Sequence, residues 1–306
     1  YFTLTVDANN IRDAKNMFSS IEATLSSSLV QIGINGMAGS TLEPISINQR
    51  MQTWFNFTHS GIMTNYKFDL QECIRHNKNW IDVISPETIS FYNDYFVMNG
   101  KQYGRVMYIS KHAQSLESDT IAELAKINST NYITINNELL DLSGYKQEIT
   151  RKHSSVGLQI EREKKRNRDN HDFLADANDK LLSDKDSLIK LSRQVESGDD
   201  HFFNTTIMIM FLAKSMQELD EITEQIIAVG GVKSFEVKPC FHMQRQGINS
   251  TLMFGAQEFK RMANFSAPCL AMYMPFKTQE LNDNNGTYYG INKLSQNPII
   301  ANRKLL

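Results

Sequence analysis

The stretch TTIMIMFLA at residues 205–213 is the longest apolar run in the chain. It falls well short of the roughly 18 residues that a membrane-spanning helix requires, and its length suits a strand. We read residues 205–212 as a buried strand, so the chain must build a sheet whose other members lie elsewhere. At 306 residues and 41% hydrophobic content, it has enough apolar mass for a proper core, in two domains or one large one with insertions. The formal net charge of −2 leaves no global attraction for nucleic acid, so any such binding must be regional. Cys73, Cys240 and Cys269 are odd in number and form no C-x-x-C pair, which argues against a disulfide framework and a zinc site and fits a reducing cytosol. No signal peptide pattern is present, and the chain opens on Tyr1 in what reads as mid-strand; both ends are expected to be trimmed.

Residues 1–6 alternate as a strand, Asp7 is the expected N-cap of a helix over residues 11–25, and residues 28–34 read as a second strand, together a βαβ or split βαβ unit. The glycines Gly33, Gly36 and Gly39 lack a following Lys-Ser/Thr and read as an ordinary turn. A short helix over residues 48–57 points Met51, Trp54 and Phe55 inward. Residues 91–109 form a hairpin around Asn99-Gly100, the dipeptide that tolerates positive φ at both positions. A helix over residues 118–127 and a strand over 132–135 follow.

Two long helices, residues 147–167 and 172–196, make a helical hairpin, the second with Leu174, Leu181, Leu188 and Val195 at heptad spacing. After the strand at 205–212 comes a helix with Met216, Leu219, Ile222, Ile226 and Ile227 on one face, a stop at Gly230-Gly231, and a strand over 232–237. A further apolar run, residues 269–276, reads as a central strand ended by Pro275. The order is β-α-β, helical arm, β-α-β. The expected fold class is therefore α+β, with ferredoxin-like or split βαβ subdomains and an inserted long helical hairpin.

No histidine pairs at metal-binding spacing with another ligand, and no nucleophile motif occurs, so we expect no catalytic, cofactor-binding or metal residues in this chain. The basic cluster Arg151, Lys152, Arg162, Lys164, Lys165, Arg166 and Arg168 is the one electrostatic feature of note. Glu161 and Glu163 dilute it and the positions wrap around a helix, so a solvated arm is favoured over nucleic-acid binding. Arg162, Lys164, Lys165, Arg166 and Arg168 are the candidate nucleic-acid or partner contacts. In FHMQRQGINSTLMFG, residues 241–255, amides crowd around Gly247, and we expect them to stitch this segment to neighbouring backbone rather than hold a ligand.

That segment, with Gln244, Gly247, Asn249 and Ser250, followed by Pro275-Phe276, by Tyr288, Tyr289, Gly290 and Asn292, and by Arg303, resembles the VirB/TraC/TrbE family of type IV secretion and conjugation ATPases. More narrowly it is similar to the fourth VirB component as carried by conjugative elements of Gram-positive bacteria. The resemblance spans nearly the whole chain and implies the N-terminal, non-motor region of a cytoplasmic, oligomeric ATPase peripheral at the inner face of the cell membrane. That parent would dock on inner-membrane channel components, self-associate, and energise pilus assembly or DNA and protein transfer. ATP and Mg are expected for its motor domain, whose Walker A loop the resemblance places after Leu306. No G-x-x-x-x-G-K-[ST] occurs in this sequence, so the chain alone is expected to be inactive and no residue here is assigned to nucleotide. The expected division is residues 1–85, an N-terminal α/β subdomain; 86–285, an α+β subdomain with the arm at about 143–197; and 286–306, the start of, or hinge to, the motor.

Overall fold

The computed structural model describes residues 3–34, 43–60, 65–113, 120–169, 178–197, 200–252, 255–273, 286–292 and 297–302; for residues 29–34 and 168–169 only the backbone is described. The fold is α+β, built on a seven-stranded sheet. At its centre lies β5 (Phe202–Ala213), whose residues are almost all buried. β4 (Thr130–Leu139) pairs antiparallel along one edge of it. The other edge is shared by β3 (Gln102–Lys111), opposite Met208 to Ala213, and β7 (Ala263–Ser266), opposite Phe202 to Thr205. β3 in turn is flanked end to end by β2 (Phe96–Met98) and β6 (Glu236–Pro239), and β1 (Ile89–Phe91) pairs with β2. All these pairings are antiparallel, so β3 runs parallel to β4 across β5, and β5 runs parallel to β6 across β3.

Period-two alternation assigns the two faces of β5. Ile207, Ile209, Phe211 and Ala213, with Met107 and Ile109 of β3, pack under α5 (Thr120–Ala125) and α8 (Met216–Val232), which insert Ile121, Leu124, Leu219, Ile222 and Ile226. Met208, Met210 and Leu212, with Val106, Phe96 and Met98, face α9 (Gln244–Thr251), Phe259, and Phe57 of α2 (Ile47–Thr58). Each large side chain sealed this way contributes about 1.5–3 kcal/mol. A strand covered on both faces has no solvated side to make polar, which is why β5 reads as one apolar run.

The β2–β3 turn has Asn99 at φ 51° and Gly100 at φ 64°, as its dipeptide predicts. Asn99 also accepts from the Glu87 N–H at 2.8 Å and donates to the Thr58 carbonyl at 2.9 Å, tying the turn to the end of α2. α2 starts with a capping box between Ser46 and Gln49. It serves two cores, because Phe57 enters the sheet core while Phe55 packs with Phe68, Cys73 and Ile84 of the region of α3 (Leu70–Arg75) and α4 (Trp80–Ile84).

The arm leaves the sheet after β4 as α6 (Leu142–Asp169) and returns to β5 through α7 (Asp179–Ser197). Asp141 caps α6, accepting from the Ser143 and Gly144 N–H groups, and the Ser143 hydroxyl and these amides hold its carboxyl below the usual range. Beyond the sheet, β8 (Thr287–Ile291) and β9 (Pro298–Ala301) form a separate two-stranded ladder. Its strands pair with each other, yet Tyr288, Tyr289 and Ile291 remain exposed.

Several sequence expectations need correction. Described residues up to 85 contain no strand: residues 3–8 are irregular, and residues 28–34 continue α1 (Ile11–Ile34) as helix. No Gly or Pro interrupts residues 11–32, so the apolar run at its end extends the helix instead of starting a strand. Its cap is Asn10, not Asp7, because the Asn10 side-chain Oδ1 accepts from the Asp13 N–H at 2.9 Å. Gly230 and Gly231 lie inside α8; the chain turns out at Ser234, with φ 58°, and the Phe235 N–H bonds the Gly230 carbonyl at 2.9 Å. Ile227, expected on the same face as Leu219, Ile222 and Ile226, is half exposed while those three are buried. The strand expected at 269–276 begins as the short helix α10 (Ala267–Ala271), started by Ser266 and Pro268, a helix N-terminal signal. Residues 274–276 of that expectation, Ser118 of the α5 expectation, and Leu174 of the arm lie outside the described residues.

Candidate functional site

The amide-rich segment folds as α9, and its polar groups turn inward. Gln244, which is 2% exposed, accepts from the Val106 N–H through Oε1 at 2.8 Å and donates through Nε2 to the carbonyls of Val106 and Cys240, each at 3.1 Å. On the edge of β3 away from β5, Val106 sits where no strand pairs, since β2 ends opposite Gly104 and β6 begins opposite Met107. One side-chain amide thus stands in for a peptide of the missing neighbour and gives the buried Val106 N–H its acceptor, while the Val106 carbonyl also accepts from the Cys240 N–H at 2.9 Å. Gly247 makes this approach feasible: a Cβ there would lie 2.9 Å from Val106 Cγ1. Ser250 Oγ accepts from the N–H groups of Glu258 and Phe259 at 2.9 and 2.8 Å, and Asn249 donates to Glu258 Oε1 at 3.0 Å. From β4, Asn136 and Thr134 donate to the carbonyls of Ser250 and Thr251. Burial pushes the Cys240 thiol up to about 12, so it stays protonated and inert.

On the opposite face, Arg105 is 4% exposed. Its Nη2 meets Asp94 Oδ2 at 2.9 Å, its Nη1 meets Asp220 Oδ1 at 3.0 Å and Thr223 Oγ1 at 2.6 Å, and its Nε donates to the Asp94 carbonyl at 3.1 Å. The guanidinium joins β3, α8 and the β1–β2 connection, with four donors spent. Sequence reasoning assigned it no such role, because its partners are remote in the chain. At the far end of β3, His112 Nδ1 lies 2.9 Å from the Tyr273 hydroxyl, with Phe265 edge-on to the ring. Burial lowers His112 to about 4 and raises Tyr273, so both are neutral at pH 7. This pair ties β3 to the turn after α10.

The arm has the reverse character. Its base is a small core of Tyr145, Ile149, Val195 and Phe202. Along α6 the buried or half-buried positions include Tyr145, Ile149, His153, Val156, Ile160, Glu163 and Asn167, a seam against α7, where Leu181, Leu188 and Leu191 are half-buried. Near the far end the Asn178 N–H donates to Glu163 Oε2 at 3.1 Å, bridging the two helices. Arg151, Lys152, Arg162, Lys164, Lys165 and Arg166 all occupy exposed positions outside the seam, and Lys152 pairs with Glu148 at 2.6 Å. Arg162 to Arg166 sit roughly 30 Å along the helix from Tyr145, at 1.5 Å per residue. They are neighbours in sequence spread around the helix, not a one-sided stripe. The side chain of Arg168 lies outside the described residues, as do Pro275, Phe276 and Arg303. Tyr288, Tyr289 and Gly290 lie on β8, and the N–H of Asn292 bonds the Asn297 carbonyl at 2.8 Å.

Among the described residues, no three His, Cys, Asp or Glu side chains converge as a metal site, and no helix is long and apolar enough to cross a membrane. An open apolar depression of about 230 Å³ is lined by Ile47, Met51, Leu70 and Trp80. No protein-family model matches this chain, and no curated protein matches its sequence.

Proposed function

We propose that this chain is the non-motor docking and assembly region of a conjugative type IV secretion ATPase of the VirB/TraC/TrbE type, seated at the inner face of the cell membrane. The observation that carries this reading is the division of labour between sheet and arm. The motif residues Gln244, Gly247 and Ser250 are consumed in holding α9 against β3 and β4. A long helical hairpin meanwhile projects its charges outward. A rigid platform bearing an extended arm suits transmission and docking better than turnover. The ferredoxin-like reading of the central unit is supported by its strand order, in which each β-α-β crossing skips one antiparallel strand. ATP and Mg belong, in this reading, to a motor domain encoded beyond Leu306. Photo-crosslinkers placed at Arg162 and Lys165 in cells carrying the parent element should capture inner-membrane channel components. Capture of none, with normal transfer by arm-deleted protein, refutes docking through the arm. A P-loop within the next fifty codons is the expected result for the parent, and ATP hydrolysis by the purified chain alone would overturn the non-motor assignment.

A second reading rests on the exposure of Arg162, Lys165 and Arg166 near the far end of α6, where a transferred strand would meet them as a clamp. Single-strand binding at low salt that falls steeply with salt, and is lost on charge reversal of these three, supports it; no binding at low salt excludes it.

A further inference from the structure

No described side chain of α1 contributes to any of the cores. From Ile11 to Ser28 every side chain is exposed except Ala14 and Ile21, which are half-buried, and Ile11 is 77% exposed. The hydrogen bonds of its described side chains stay within the helix and its Asn10 cap. Yet the helix is patterned. Ile11, Ala14, Phe18, Ile21, Leu25 and Ser28 follow one another at intervals of three and four, the narrow a/d seam that another helix covers, and five of the six are apolar. A lipid surface calls for a broad apolar face flanked by Lys and Arg, whereas the charges from Ile11 to Ser28 are balanced, Arg12 and Lys15 against Asp13 and Glu22.

The charges beside the seam identify the partner. With Ile11, Phe18 and Leu25 at a and Ala14, Ile21 and Ser28 at d, the e positions hold Lys15 and Glu22, while the g positions hold Met17 and Thr24. In a parallel pair e faces g, and no charge meets its opposite. In an antiparallel pair e faces e. Stacking Phe18 on Ile21 of a second copy, and Leu25 on Ala14, brings Lys15 of each copy beside Glu22 of the other. The helix is complementary to itself in one orientation only. We infer that α1 is a self-association element that pairs antiparallel with α1 of a second copy of this chain, through the Phe18–Ile21 layers and two reciprocal Lys15–Glu22 contacts. The inference does not rest on the secretion reading, since it uses only α1's own exposure and pattern.

The test is sedimentation of the whole chain over a wide concentration range. A reversible dimer is expected. Phe18→Asp should abolish it while leaving thermal unfolding unchanged, because Phe18 is exposed and belongs to none of the cores. Lys15→Glu and Glu22→Lys should each weaken it by about tenfold, and the combined Lys15→Glu/Glu22→Lys chain should recover to within about threefold of the original. In a Cys269→Ser background, Ala14→Cys mixed with Leu25→Cys should crosslink, and Ala14→Cys alone should not. A monomer at every concentration, a dimer indifferent to Phe18→Asp, failure of the charge swap to recover, or self-crosslinking through Ala14→Cys would each overturn the proposal.

Discussion

The sheet and the arm handle polar side chains in opposite ways. Gln244 and Arg105 are buried and bonded to backbone or to fixed partners. Arg162, Lys165 and Arg166 are exposed on the outer surface of α6. Buried polar groups earn their place by satisfying other buried groups, so losing one costs fold stability. Exposed charges on a helix cost nothing to keep and little to remove, so their value lies in whatever they meet outside the chain. A motif-rich segment can therefore be scaffolding, while a bland charged helix is the surface on offer.

The largest break in this contrast is expected at Arg105. Arg105→Ala removes a buried cation bonded to Asp94, Asp220 and Thr223, and should lower unfolding stability by about 3 kcal/mol in urea titrations, with little change in slope. Gln244→Ala leaves the Val106 N–H without a partner behind α9 and should cost about 2 kcal/mol by the same measurement. A variant as stable as the parent at either position would mean that the hub is incidental.

pH sharpens the comparison at His112. Its folded value of about 4 lies below the ordinary 6.5, so between these limits the unfolded chain binds more protons. Stability should therefore fall as pH drops from about 6.5 to about 4, and His112→Phe should remove that part of the loss in paired melts. The smallest effect belongs to the arm: Arg162→Glu, Lys165→Glu and Arg166→Glu together should shift stability by less than about 0.5 kcal/mol per site while altering any contact made there. A large loss of stability would show that the cluster is structural after all.

Much of the frame was legible because it is set by neighbours in the chain. Asn99-Gly100 marks a turn by its own backbone preference, and the heptad Leu181, Leu188, Val195 marks a seam by spacing alone. The β-α-β, arm, β-α-β order followed from such signals. Short apolar runs were harder, since residues 28–34 and 269–271 read as strand yet are helical where their flanks permit helix to continue or begin. The roles of the motif residues were only half visible. That the amides of 241–255 serve backbone was expected, but their target, Val106, was not.

By itself, then, the sequence determined the α+β class, the buried strand β5, the tight β2–β3 turn and the heptad of the arm, because dihedral preference and periodicity act within a few residues. Only the tertiary structure decided that Gln244 completes β3 across a separation of 138 residues, and that Arg105 finds Asp220 at a separation of 115. Those pairings depend on which strands become neighbours, and no local preference encodes the gap between β2 and β6 that Gln244 fills.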